Sequence, residues 1–425
     1  MTDAAPAVPP TAVPPPALIQ LVTLGDDVTA VRNLLLKGEA KVDDTDSNGM
    51  TALHHAAYKG NAELCKLLVD HGADVNSDSH DHRYSPLHFA ALSGNTEAVQ
   101  HLLTAGARTY HTNTLGRTAT QMAAFVGNHA VVALINNYVP MSDVTQYTRP
   151  SGLEKEAKLP PVAAKPFYDL IMQVNLHPVR IALAVGASDI LQKNINKAWH
   201  LLDHMCEKES KRPENVNEVI SMKFHYLAYV LKTLEKELQK MDPETQSNKD
   251  TCIFESIIRK WLRGRPSDGF EEHLEYYVRD AIKAFPWVEM PLFIQLVRNM
   301  SGSQLGDTSA LCILSGCING QRAFQDDKAC STCGQETNRD LKKCSKCKMA
   351  QYCDKVCQKL QWPIHKKFCD KLYLEYKSQQ KRLEEERRKE EDEKEKNKAN
   401  ENVDVEKKEK EDKELASQAK NITVS

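Results

Sequence analysis

One phrase in this chain returns at a fixed interval, and that recurrence limits the possible folds more than any other feature. Thr51-Ala52-Leu53-His54 is followed by Ser85-Pro86-Leu87-His88 and by the weaker Thr118-Ala119-Thr120-Gln121, at steps of 34 and 33 residues. Gly60-Asn61, Gly94-Asn95 and Gly127-Asn128 keep the same time, as do Gly72-Ala73-Asp74 and Gly106-Ala107-Arg108. A period of this length marks a supersecondary unit that cannot bury its apolar face alone and must stack on copies of itself. The residue types fit a pair of short helices per unit. Thr or Ser caps the first helix through its hydroxyl. Pro86 occupies the first helical position, where the amide it lacks would be unpaired anyway. Ala56-Ala57 and Ala90-Ala91 let neighbouring helices approach, and the recurring glycines end the first helix. Leu67-Leu68 and Leu102-Leu103 bury the second.

These phrases closely resemble the ankyrin repeat, which implies a β-turn finger and two antiparallel helices per unit. A fainter unit, carried by Leu18, Leu21, Val22, Val31, Leu34-Leu35 and Gly38, precedes them as a terminal cap. Residues 17–140 are therefore expected to hold a cap and three units. Arg83 stands where the frame expects glycine, so a distorted finger is expected there. His54 and His88, one per repeat, are expected to bond neighbouring turns rather than form a site. The resemblance places Tyr58, Leu92 and Phe125 on the concave face, with Met50, Tyr84 and Arg117 at the finger tips. That stripe either docks a partner or is covered by the region that follows; aromatic anchors suit the former.

Residues 1–16 are proline-rich and read as a disordered tail, with a polyproline ligand as the alternative. Residues 141–166, with Pro150, Pro160, Pro161 and Pro166, read as a linker. From 167 to 300 four apolar stripes of helical period follow, among them Phe224, Leu227, Leu231, Leu234 and Leu238. They predict a helical domain that packs on the repeats or extends them. Residues 301–329 read as a looser connector. In 370–425 the run of Glu, Lys, Arg, Asp and Asn reads as a solvated helix or as disorder, without the apolar seam of a coiled coil.

Seven of the 12 cysteines lie between Cys330 and Cys369. They form Cys330-x2-Cys333, Cys344-x2-Cys347, Cys353-x3-Cys357 and, with a histidine, His365-x3-Cys369. Structural zinc takes four thiolate or imidazole ligands, so eight ligands fill two closed sites. Spacing alone permits either sequential or interleaved pairing. With Tyr352 before Cys353 and Trp362 before His365, the segment 330–369 strongly resembles the MYND zinc finger, and all eight ligand positions are occupied. The resemblance implies interleaving: Cys330, Cys333, Cys353 and Cys357 on one zinc, Cys344, Cys347, His365 and Cys369 on the other. It also implies a shallow groove for proline-containing peptides beside Gln361 and Trp362, although Trp362 equally fits a core position.

The chain as a whole is thus expected to be mainly α: a solenoid of repeats, a helical middle, a two-zinc finger and a charged tail. Formal net charge is −2, which gives no reason to expect a nucleic-acid partner. No secretory leader and no apolar run of membrane-spanning length are evident, so a cytosolic or nuclear protein with reduced thiols is expected. No P-loop, G-x-S-x-G or H-E-x-x-H motif appears. The ligand order, with its one histidine in seventh place, does not fit a RING ubiquitin ligase. The expected function is therefore a non-enzymatic adaptor that binds other proteins. The ankyrin–MYND family resemblance further implies a cytoplasmic protein that helps signalling proteins reach the cilium, with ciliary signalling proteins or chaperone-like factors as partners. A nuclear corepressor-type adaptor is the alternative, and a SET-like methyltransferase a more distant one, since the middle region reads helical.

Overall fold

A computed structural model describes residues 16–25, 27–152, 155–212, 216–240, 253–267, 269–301, 308–320, 329–336 and 341–422; the side chains of 390 and 392–422 are outside that description. The proline-rich tail lies, but for Pro16, outside the described residues. The chain is mainly helical and divides into two compact units, 1–338 and 339–425.

The first unit opens with four helix pairs: α1 (Ala17–Leu24) with α2 (Val28–Leu36), α3 (Ala52–Lys59) with α4 (Ala62–Asp70), α5 (Pro86–Ser93) with α6 (Thr96–Thr104), and α7 (Ala119–Phe125) with α8 (His129–Asn137). Each first helix packs on the next first helix, so one continuous core runs through Leu18, Leu53, Leu64, Leu87, Val99, Ala123 and Val131. Capping boxes start α3, α5 and α7: the hydroxyl of Thr51, Ser85 or Thr118 pairs with the third residue of the helix, whose side chain returns to the cap. In the first two boxes that side chain is His54 or His88. His54 Nδ1 accepts from the Thr51 amide at 3.0 Å, and His54 Nε2 reaches the Tyr84 carbonyl at 3.0 Å. His88 Nε2 reaches the Arg117 carbonyl at 3.0 Å. The histidines therefore rivet one repeat to the turn of the next, as expected from their spacing.

The finger at Arg83 keeps the tight turn of its neighbours but lacks their closing bonds, the backbone bonds from Asp46 to Met50 and from Asn113 to Arg117 and the Thr45–Thr51 and Thr112–Thr118 bridges. The Arg83 amide donates to the His80 carbonyl at 2.7 Å, the bond that Gly49 makes to Asp46 and Gly116 to Asn113. Arg83 does so by adopting φ 55°, the left-handed conformation of its glycine counterparts at 72° and 69°. The deviation thus combines a strained left-handed residue with a more open finger.

Residues 141–166 do not form a loose linker. They include α9 (Met141–Thr145), the buried Val144 and Leu159, and the first turns of α10 (Pro161–Met172). Then come α11 (Pro178–Gly186), α12 (Asp189–Lys193), α13 (Ile195–Ser210), α14 (Glu218–Leu238), α15 (Glu255–Trp261), α16 (Glu272–Lys283) and α17 (Pro291–Ser301). Most of the predicted stripes are buried, with Phe167, Leu202, Phe224, Leu231, Val278 and Phe285 in the core, while Leu238 is half-buried and Val174 exposed.

The connector expected at 301–329 is also corrected, because its described part contains α18 (Ala310–Asn319), which packs against α8, α14, α16 and α17. The buried Glu275 accepts from the Ala310 amide at 2.7 Å, and Ser309 caps the same end through Cys312. At its other end α18 is held by the last repeat. Asn136 Nδ2 donates to the Ile318 carbonyl at 2.9 Å, and Asn137 Nδ2 to Asn319 Oδ1 at 2.8 Å. Through α18 the helical region is joined to the repeats.

The second unit contains a two-strand hairpin, β1 (Lys342–Lys343) antiparallel to β2 (Gln351–Tyr352), and one helix, α19 (Lys355–Ile422). Of the two readings of the charged tail, the helix is the one found. Among the described residues no helix is long and apolar enough to cross a membrane.

Candidate metal centre

The finger is built from two similar knuckles and one helix. In the first, the Cys330 amide donates to Gln335 O at 3.0 Å and the Gly334 amide to Cys330 O at 2.9 Å, with Gly334 at φ 63°. In the second, the Cys344 amide donates to Ala350 O at 2.8 Å and the Lys348 amide to Cys344 O at 3.0 Å, with Lys348 at φ 59°. Both place a left-handed residue four positions after the first cysteine, so each Cys-x2-Cys turn presents its two sulfurs to one side. Glycine takes that conformation freely, whereas Lys348 takes it at a cost.

The remaining ligands come from the start of α19 and the residue before its cap. Asp354 Oδ1 accepts from the Cys357 amide at 2.7 Å, which fixes the first turn that carries Cys357. His365 and Cys369, one turn apart, lie on the same face. Tyr352 and Leu360 are buried and form the small apolar centre of the finger, with the Tyr352 ring edge-on to His365.

The eight side chains gather into two sets. Cys330, Cys333, Cys353 and Cys357 form one, and Cys344, Cys347, His365 and Cys369 the other; within each, the ligand atoms all lie within 4.8 Å of one another. The arrangement is interleaved. Tetrahedral zinc with bonds of about 2.3 Å to sulfur and about 2.0 Å to nitrogen requires S···S edges near ~3.8 Å and S···N edges near ~3.5 Å. The structure has Cys353 Sγ–Cys357 Sγ at 3.5 Å and Cys344 Sγ–Cys369 Sγ at 3.9 Å. His365 Nε2 lies 3.4 Å from Cys344 Sγ and 3.6 Å from Cys347 Sγ. These separations are the edges of two coordination tetrahedra, and Nε2 is the imidazole ligand. The finger thus binds two zinc ions, one through four thiolates and the other through three thiolates and an imidazole. With four protein ligands on each ion, neither site keeps a position for water or substrate.

The residues expected at partner surfaces divide by exposure. Tyr58 is 60% and Phe125 74% exposed, so the helical region does not cover that stripe. Arg117 is exposed and lies over the Phe125 ring at 5.5 Å, while Met50, Tyr84 and Leu92 are half-buried beside them. Sequence reasoning missed Phe89, which is packed edge-on against Tyr58 and His54 and tilted against Tyr84. Its place directly after His88 was the available signal. In the finger Trp362 is 48% exposed, with its ring 5.9 Å from that of His365, and Gln361 is half-buried. Trp362 therefore both touches the metal-binding face and meets solvent.

Comparison with known proteins matches these two parts separately and then most of the chain. Residues 18–113 match the ankyrin repeats in three copies, and residues 330–369 match the MYND finger. Partial similarities include Palmitoyltransferase akr1 of Neurospora crassa, 37% identical over 28% of this chain and 16% of that one. Another is SET domain and MYND-type zinc finger protein 6 of Schizosaccharomyces pombe, 44% identical over 11% of this chain and 9% of that one. Neither overlap is long enough to bring an enzyme's activity with it. Dauer abnormal formation protein 25 of Caenorhabditis elegans is 31% identical over 79% of this chain and 85% of its own length. On that coverage, and with both modules in place, the chain belongs to the family of this nematode protein, in which ankyrin repeats are combined with a MYND finger.

Proposed function

We propose that this protein is a non-enzymatic adaptor that binds other proteins through the ankyrin concave face and through the MYND finger. The observation that carries the proposal is the closure of both metal sites. Eight protein ligands occupy two tetrahedra, so zinc there supports folding rather than catalysis. The exposed aromatics supply what docking needs: Tyr58 and Phe125 on the repeats, and Trp362 beside Gln361 on the finger. Leu92, Met50, Tyr84 and Arg117 complete the first surface. Membership in the ankyrin–MYND family supports the finer reading, that the partners are signalling proteins escorted to the cilium.

The test is affinity capture from ciliated cells with three full-length baits: wild type, Tyr58→Ala/Phe125→Ala, and Trp362→Ala. Each variant should retain its zinc and lose a different subset of partners, with ciliary signalling proteins in at least one subset. Identical partner lists for all three baits would refute the two surfaces, and lists without ciliary proteins would refute the escort role alone. A thermal shift with S-adenosylmethionine should be null; saturable stabilisation would instead indicate a methyltransferase.

A further inference from the structure

Within the first unit, the last two repeats, the helical region and the first knuckle line an open-sided cavity of about 520 Å³. Its lining contains an unusual concentration of donors without acceptors. Ser315 is 2% exposed, yet its Oγ has no hydrogen-bond partner. Gln173 Nε2 is buried and likewise unpaired. Arg180 lines the same cavity, and its guanidinium makes no ion pair or hydrogen bond with any described residue. Buried polar groups are ordinarily paired, and two unpaired ones beside a half-buried guanidinium without a partner call for an explanation. A guanidinium can only donate, so the missing partner must accept.

A second cation lies behind the wall. Lys223 is fully buried in α14, and its Nζ donates to Asn137 Oδ1 at 2.6 Å. Asn137 Nδ2 donates to Asn319 Oδ1 at 2.8 Å, and Asn319 Nδ2 to the Val174 carbonyl at 3.0 Å. An ammonium that only donates at one end and a carbonyl that only accepts at the other fix both amide orientations. Asn319 also lines the cavity, so the chain of dipoles carries the lysine's positive charge toward it. The one carboxylate in the lining, Glu336, belongs to the knuckle side. The knuckle is itself tied to this wall by Asn175 Nδ2, which donates to the Cys333 carbonyl at 2.9 Å.

We propose that this cavity binds a small oxyanion-bearing ligand, a carboxylate or phosphate held by Arg180, Gln173 and Ser315. The volume falls in the range of small-molecule sites, roughly 300–1,000 Å³. Because the first knuckle forms one wall, the site is complete only in the zinc-loaded chain.

The test is isothermal titration of the zinc-loaded full chain with inorganic phosphate, with succinate, and with neutral succinamide. At least one anion should bind saturably and succinamide should not; which anion binds identifies the chemistry. Arg180→Gln should weaken binding by about tenfold or more while two zincs are retained. Ser315→Ala should weaken binding yet raise the stability of the ligand-free chain, because it removes an unpaired hydroxyl. Glu336→Gln should tighten binding by about threefold by removing the opposing carboxylate. Excluded salts stabilise any fold without saturating, so the same non-saturable response in wild type and Arg180→Gln would overturn the proposal. So would the absence of binding by both anions, or an unchanged affinity in Ser315→Ala.

Discussion

At the scale of single residues, the repeats depend on two histidines that must stay neutral. Burial pushes the pKa of both His54 and His88 down to about 4. The unfolded chain takes up these protons near ~6.5 and the folded one only near 4, so it is the unfolded state that gains as pH falls. The histidines' contribution is complete above about pH 6.5, declines between about 6.5 and 4, and levels off below. Each ring should withdraw on the order of 3 kcal/mol across that window. Urea unfolding of the wild type should show this loss. His54→Gln/His88→Gln, which copies the box of Thr118 and Gln121, should be weaker at neutral pH by about 1 kcal/mol per lost inter-repeat bond but flatter with pH. An equally steep profile in that variant would assign the acid sensitivity elsewhere. Arg83 permits a second test at this scale. Arg83→Gly should relieve the left-handed strain and raise stability by roughly 0.5 kcal/mol, measured by the denaturant midpoint. The reverse change at the equivalent turn, Gly49→Arg, should be strongly destabilising, since a Cβ there would come 2.0 Å from the Ser79 carbonyl oxygen.

At the scale of elements, the junction between the repeats and the helical region turns on Asn137. It is the acceptor for Lys223, whose ammonium is pushed down to about 7 by burial. Asn137→Ala should cost about 3 kcal/mol by stranding that amine, whereas Lys223→Met should be near neutral or stabilising, as when a buried charge gives way to an apolar group. Chemical unfolding of the two variants tests the asymmetry. Neither residue was legible in the sequence, because Lys223 interrupts the apolar run of α14 and reads as a surface position. Helix α18 was missed for a related reason. Its small apolar run, Ala310 to Ile318, follows a polar stretch and is defined by partners far along the chain, Asn136 and Asn137. The repeats and the metal ligands were legible because their signals are local: caps and glycines at a fixed period, and ligand pairs three or four residues apart. Which ligand pairs share an ion was not fixed by spacing. Nor was the cavity at Arg180 and Ser315, since residues from separate elements meet there only after folding.

At the scale of the molecule, the repeats and the finger are stabilised by different means. The solenoid has a continuous apolar core, while a finger of this size holds together through its ions, with structural zinc contributing on the order of 10–16 kcal/mol. A strong chelator should therefore release two zincs per chain and abolish hydrogen-exchange protection in 341–369, while α3 to α6 remain protected. Loss of protection throughout the repeats on the same timescale would show that metal supports the solenoid as well. Which four residues close each metal site is set by the interleaving of the ligand pairs, and native mass spectrometry of paired ligand variants examines that pairing directly. Cys330→Ser/Cys357→Ser should lose one zinc, because both residues serve the same ion, whereas Cys330→Ser/Cys347→Ser should lose both. Loss of only one zinc from the second variant would contradict interleaving and establish sequential sites.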